Sequence, residues 1–123
     1  IRKIHADCKE EMTLDAETLE RVKSILLEIP SNSGEKADLS ALKFFRGKGC
    51  PVCNHSGYKG RIGVFEVFAV DETIERLIFD QASTHEIKKA AVAQGMLTMQ
   101  QDGILKAMEG LTDLAEVWRV TEE

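Results

Sequence analysis

Gly47-Lys48-Gly49-Cys50-Pro51-Val52-Cys53-Asn54-His55-Ser56-Gly57-Tyr58-Lys59-Gly60 is the stretch whose reading decides the rest of the chain. Five glycines fall between Gly47 and Gly63, which favours tight turns with positive φ over regular structure. Two cysteines separated by two residues in such a turn can put two thiolates about 2.3 Å from one metal ion without backbone strain. Glycines on either side, Gly49 and Gly57, leave room for backbone N–H groups to point at the sulfurs and offset their charge.

Toward the N-terminus, His5-Ala6-Asp7-Cys8 repeats the two-residue spacer. His5, Cys8, Cys50 and Cys53 therefore make four candidate ligands, the number of a closed tetrahedral zinc site. With no position left for water, such a site is structural rather than catalytic. Forty-one residues separate Cys8 from Cys50, but loop closure costs grow only logarithmically with length. One imidazole and three thiolates leave a Zn²⁺ site with one negative charge, which Lys3, Lys9, Lys48 and Lys59 are placed to moderate. His55, two residues past Cys53, competes with His5 at a less convenient interval; His85 and Asp7 are expected to be exposed.

Two other readings stand beside zinc. Cys-Pro-Val-Cys also has the spacing of a thiol–disulfide exchange motif, but that chemistry belongs at a helix N-terminus. Asn54 to Gly60 is a poor helix. In the blander reading Cys8 is a small core residue, His5 a surface histidine, and the cysteine pair incidental.

Downstream, Arg61 to Val70 is rich in β-branched and aromatic residues with both faces largely apolar, which predicts a well-covered strand. Two strands flanking the cysteine turn would form a small ribbon. Upstream, Leu19, Val22, Leu26 and Ile29 recur at helical spacing, and Pro30-Ser31-Asn32-Ser33-Gly34 ends that helix. The last fifty residues read as short helices opened by Asp71, Ser83, Thr98 and Thr112 or Asp113, with Gly95 and Gly110 as stops. Gly103 weakens the middle of the third. The expected fold is α+β: a small zinc-linked antiparallel β-ribbon with an N-terminal helix, then a C-terminal array of short helices. Residues 1–70 form the zinc-binding part (helix about 14–29, loop 30–41, knuckle and strands 42–70), and residues 71–123 the helical part.

At 123 residues, 43% hydrophobic and 30% charged, the chain suits one compact domain or two small ones. No apolar run approaches the roughly 18 residues that span a bilayer, and no basic-then-apolar leader is visible. Opening on Ile1 rather than Met, the chain is expected to be a piece of something longer. Three cysteines, an odd count, point to a reducing compartment. The net charge is −5, a poor default for nucleic-acid binding. Yet Lys43, Arg46, Lys48, Lys59 and Arg61 form a basic stretch with no acid among them, leaving eleven basic against twenty-one acidic residues, −10, on the remainder. Phe44, Phe45 and Tyr58 lie among these cations, so a nucleic-acid-binding zinc ribbon is the competing function class. The acidic residues read as solvated helix faces. Phosphate-binding loop, nucleophile elbow and His-Glu-x-x-His are all missing, so no catalytic residue is assigned.

Phe45-Arg46-Gly47-Lys48-Gly49-Cys50-Pro51-Val52-Cys53-Asn54-His55-Ser56-Gly57-Tyr58-Lys59-Gly60-Arg61-Ile62-Gly63-Val64-Phe65-Glu66 resembles the second half of the tetracysteine motif of the traffic ATPases of bacterial type II secretion and type IV pilus assembly. Gly95-Met96-Leu97-Thr98-Met99-Gln100-Gln101-Asp102-Gly103 and the segment from Gly110 to Thr121 resemble that family's C-terminal signature. The likeness runs from Arg2 to Thr121. The family's usual first pair is Cys-x-x-Cys; here position 5 is His, and the site carries over as His5, Cys8, Cys50 and Cys53. The resemblance implies the C-terminal, non-catalytic piece of a hexameric ATPase, with ATP and Mg²⁺ bound only in the parent protein. It further implies a cytoplasmic location at the bacterial inner membrane without insertion into it. Neighbouring ATPase subunits and inner-membrane platform proteins are the implied partners, and nucleic acid is not.

Overall fold

The computed structural model describes residues 1–122. In chain order the elements are β1 (Arg2–Ile4), β2 (Lys9–Met12), α1 (Ala16–Leu27), β3 (Phe44–Gly47), β4 (Tyr58–Arg61), α2 (Glu72–Phe79), α3 (Thr84–Ala93), α4 (Met99–Met108) and α5 (Leu114–Thr121). The architecture is α+β. The helices start where side-chain oxygens cap them: Asp15 accepts from Thr18 N–H, Asp71 from Ile74 N–H and Asp113 from Glu116 N–H. Ser83 with Glu86 and Thr98 with Gln101 form reciprocal capping boxes. After α3 and α4, Gly95 and Gly110 take positive φ, the conformation a helix stop demands.

The strands differ from expectation. The two arms of the knuckle, β3 and β4, do not pair with each other. Instead β1 pairs antiparallel with β4, Arg2 opposite Arg61 and Ile4 opposite Tyr58, and β2 pairs antiparallel with β3, Lys9 opposite Gly47 through Met12 opposite Phe44. The N-terminal segment supplies a ladder partner to each arm, so the sheet is two small ribbons built from residues far apart in sequence.

The predicted strand over 61–70 is a correction. Only Arg61 belongs to β4; residues 62–70 have no regular secondary structure, and Phe65, Val67, Phe68 and Val70 are exposed. Past Ile62, which exchanges two backbone bonds with Ile1, this backbone is held mostly by side chains in or at the ends of helices. Asp102 accepts from Phe65 N–H, Lys106 donates to Gly63 C=O and Gln94 donates to Ala69 C=O. No described strand lies beside it, so its apolar pattern has nothing to pack on.

Val22 and Leu26 of α1, Phe44 of β3, Ile104 and Ala107 of α4, and Leu114 and Val117 of α5 form the main core. A smaller cluster of Ile74, Ala91 and Met96 joins α2 to α3. Gly103 has a packing reason: a Cβ there would lie 3.0 Å from Val117 Cγ1, so the missing side chain lets α4 and α5 approach closely. Among the described residues no helix is long and apolar enough to cross a membrane.

Candidate metal centre

Residues 5–8 and 50–53 fold alike, each a single 3-10 turn that throws two donors to one side. The first turn is Ala6–Cys8, and the second is Pro51–Cys53 with Pro51 at its first position. Asn54 and His55 then adopt left-handed φ of 55° and 60°, reversing the chain so that Gly57 N–H returns to the sulfur of Cys53. No helix follows the cysteine pair, which removes the helix N-terminus that thiol–disulfide exchange relies on. The two arms meet backbone to backbone. His5 N–H donates to Gly57 C=O (2.9 Å) and Lys48 N–H to Cys8 C=O (3.0 Å), so the histidine turn is wedged into the mouth of the cysteine turn.

The four donors converge. His5 Nδ1 lies 3.4 Å from Cys8 Sγ and 3.3 Å from Cys50 Sγ, while Cys53 Sγ lies 3.5 Å from Cys50 Sγ and 3.9 Å from Cys8 Sγ. All four ligand atoms fall within 4.8 Å of one another. Sulfur ligands at tetrahedral corners about 2.3 Å from an ion are about 3.8 Å apart, so the donor set fits a metal ion. His5 is buried at 5% exposure, which disposes of a surface role for it, and Cys8 and Cys53 are buried too. His55 and His85 are exposed, and His55 lies outside the cluster. Asp7 is exposed, its carboxylate 3.7 Å from His5 Nε2, where it can orient the ring from behind.

Backbone N–H groups bear on the sulfurs as the glycines suggested. Gly57 and Cys50 each donate to Cys53 Sγ at 3.4 Å. Burial pushes the Cys53 thiol up, but these two N–H donors and the contacts with Cys50 and Cys8 outweigh it and bring the thiol down to about 5. Burial raises the Cys8 thiol, against the opposing N–H of Gly49. Beside the centre, Lys3, Lys9 and Lys59 line a 360 Å³ cavity with His5 and Asp7, which places three cations on the histidine side of the cluster.

Gly47 and Gly57 are where the arms touch. A Cβ on Gly57 would stand 2.4 Å from the Gly47 carbonyl oxygen, and Gly57 already has φ +82°. Gly57→Ala is therefore expected to open the knuckle and weaken metal binding at least tenfold, the scale of lost supporting interactions around metal ligands. Competition with a chromophoric chelator reads this, and unchanged affinity would contradict the geometry.

A second polar cluster was missed in the sequence, where the acids apart from the helix caps were read as solvated. Glu116 is 1% exposed. It accepts from Arg2 N–H (2.9 Å), Arg2 Nη2 (2.6 Å) and Arg119 Nη2 (2.8 Å), tying β1 to α5. The Arg119 bonds, followed by those of Arg2, overcome the cost of burial and hold its carboxyl far below the usual carboxylate range. Tyr58 of β4 donates to Asp113, and burial, then that carboxylate, push its phenol well above the ordinary value. The only signal in the sequence was the capping role of Asp113, three residues before Glu116.

The family model of the type II/IV secretion system protein matches residues 1–119. The chain is 35% identical over 123 residues to the type IV pilus assembly ATPase PilB of Thermus thermophilus, covering 100% of this chain and 13% of that protein. It is 34% identical over 123 residues to the type II secretion system ATPase E of Vibrio cholerae, covering 100% of this chain and 22% of that protein. With the type II secretion system protein HxcR of Pseudomonas aeruginosa it shares 40% over 79 residues, 64% of this chain and 17% of that protein. The chain thus spans less than a quarter of the length of these curated relatives. Matched over nearly its whole length, the chain belongs to the type II/IV secretion system protein family.

Proposed function

We propose that this chain is the C-terminal, non-catalytic part of an ATPase that serves type II secretion or type IV pilus assembly, with His5, Cys8, Cys50 and Cys53 as the ligands of a structural Zn²⁺ in the place of a tetracysteine motif. The observation that carries the reading is the convergence of those four donors in a chain whose relatives are named as secretion and pilus ATPases. Bound zinc would supply a four-way cross-link with no open position for chemistry. The chain's own residues do the rest. Gly49, Cys50 and Gly57 direct N–H groups at the sulfurs, Lys3, Lys9 and Lys59 balance the remaining negative charge, and the Arg2–Glu116 bonds carry the clamp into α5.

In this reading ATP and Mg²⁺ bind elsewhere in the parent, a hexamer on the cytoplasmic side of the inner membrane. Residues 1–70 serve as the metal-binding part and residues 71–123 as the helical part, supporting motor assembly. Neighbouring subunits and platform proteins of the machinery are the partners. The uncovered side chains of Phe65, Val67, Phe68, Val70, Ile78 and Phe79, the last 86% exposed, support it, since this many exposed large apolar side chains suit an interaction face. A nucleic-acid role is less well supported. Phe44 is buried in the core and Arg2 covers one face of the half-buried Tyr58 ring, 4.1 Å away, which leaves little of either for stacking.

The test uses the full-length ATPase with Cys50 and Cys53 both replaced by serine. ATP turnover is expected to fall at least about tenfold, as for other losses around a metal site, with hexamers lost in light scattering. Wild-type turnover and intact hexamers in that variant would refute the proposal.

A further inference from the structure

The four donors of the centre do not meet solvent equally. His5, Cys8 and Cys53 are buried, and Cys50 alone is half-buried. Cys53 Sγ lies 3.5 Å from Cys50 Sγ, held in place by the N–H groups of Gly57 and Cys50. The third thiol, Cys8, is 3% exposed. Two of the three thiols thus make a pair, one member reached by solvent and the other packed behind it. That is the arrangement in which an oxidised cysteine is trapped by a resolving one. Both belong to the single turn Pro51–Cys53 and the residue before it, so a bond between them asks nothing of the His5–Cys8 arm. Histidine at position 5 sharpens this asymmetry. The N-terminal arm holds one thiol and can form no disulfide of its own.

We propose that Cys50 and Cys53 are an oxidant-sensitive pair whose conversion to a disulfide by hydrogen peroxide releases the metal and opens the clamp. The inference rests on the zinc reading above. The Cys50 thiolate attacks one peroxide oxygen; the O–O bond breaks and hydroxide leaves, giving a sulfenic acid at Cys50. The Cys53 thiolate then attacks that sulfur; the S–O bond breaks, a second hydroxide leaves and the S–S bond forms. The two sulfurs together lose two electrons, the peroxide gains them, and two protons from solvent turn the hydroxides into water. Disulfide sulfur carries no charge to offer a cation, which leaves His5 and Cys8 as two donors where structural zinc takes four. A thiol reductant returns both thiolates and, with zinc present, the site. The pair is a switch consumed once per oxidation, distinct from the exchange catalyst that the missing helix N-terminus argues against.

The experiment treats the zinc-loaded 123-residue chain with a small molar excess of hydrogen peroxide. A chromophoric chelator reads released zinc, and alkylation followed by tryptic mass mapping reads the thiols. Cleavage after lysine separates the two arms, since Ile4–Lys9 carries Cys8 and Gly49–Lys59 carries Cys50 and Cys53. The expected result is loss of the bound zinc in step with a disulfide inside Gly49–Lys59, Cys8 still open to alkylation, and rebinding after reduction. Zinc retained with both thiols of Gly49–Lys59 still alkylated overturns the proposal, as does oxidation that falls first on Cys8. A reduced chain that takes up no zinc before peroxide is added overturns the metal reading itself, and this inference with it.

Discussion

Stripping the metal from the reduced chain is expected to melt both β-ribbons while the helical core stays folded. The ribbons have three or four residues per strand, and two-stranded ribbons of that length are marginal in water. What holds them is the meeting of two turns separated by forty-one residues of chain, with no disulfide among the three free cysteines. Apparent binding free energies of structural zinc in small domains, about 10–16 kcal/mol, rival the entire stability of an ordinary domain. In the α1–α4–α5 core, Val22, Leu26, Ile104, Ala107, Leu114 and Val117 pack on one another and take only Phe44 from the ribbons. Amide exchange should therefore lose protection at residues 2–4, 9–12, 44–47 and 58–61 on chelation and keep it in α4 and α5, with recovery on adding zinc. Full protection of the ribbons in metal-free protein would contradict the clamp.

Replacing Glu116 by glutamine is expected to destabilise the chain by about 2–3 kcal/mol, the range for removing one member of a buried ionic cluster whose partners can still reach water. For a domain of this size that lowers Tm by roughly 10 °C. Both arginines lose a charged acceptor, and an amide cannot take N–H donors on both of its terminal atoms as the carboxylate does. The sign of the pH dependence follows from the depressed carboxyl. A group held below its unfolded value contributes fully above the ordinary carboxylate pKa of about 4.3. That contribution fades as pH falls below 4.3 toward the folded-state value. Wild type and E116Q should thus differ by a constant amount near neutrality and converge on acidification. Thermal melts across that range check this, and a gap that stayed constant into strong acid would assign the loss to packing.

Much of this was legible because it is local. Asp71, Ser83 and Thr98 announce helices through a cap a few residues away, and the glycines announce the knuckle through its turns. The four metal-site candidates were legible for a chemical reason, since repeated two-residue spacers of His and Cys have few other uses. What failed was pairing. Residues 61–70 have strand composition, but a strand needs a neighbour, and composition cannot say whether one is present. β1 and β2 were invisible for the converse reason: Arg2-Lys3-Ile4 and Lys9-Glu10-Glu11-Met12 carry little strand propensity and are extended because β4 and β3 lie beside them. Glu116 was hidden likewise, since its burial depends on arginines 114 and 3 residues away.

Zinc per chain in untagged protein purified under reducing conditions, measured for wild type and His5→Ala side by side, tests the centre most directly. The expected result is one zinc per wild-type chain, with weakened binding when the imidazole that meets Cys8 and Cys50 is removed. No zinc in the wild-type chain, even after reconstitution with excess metal, would contradict it.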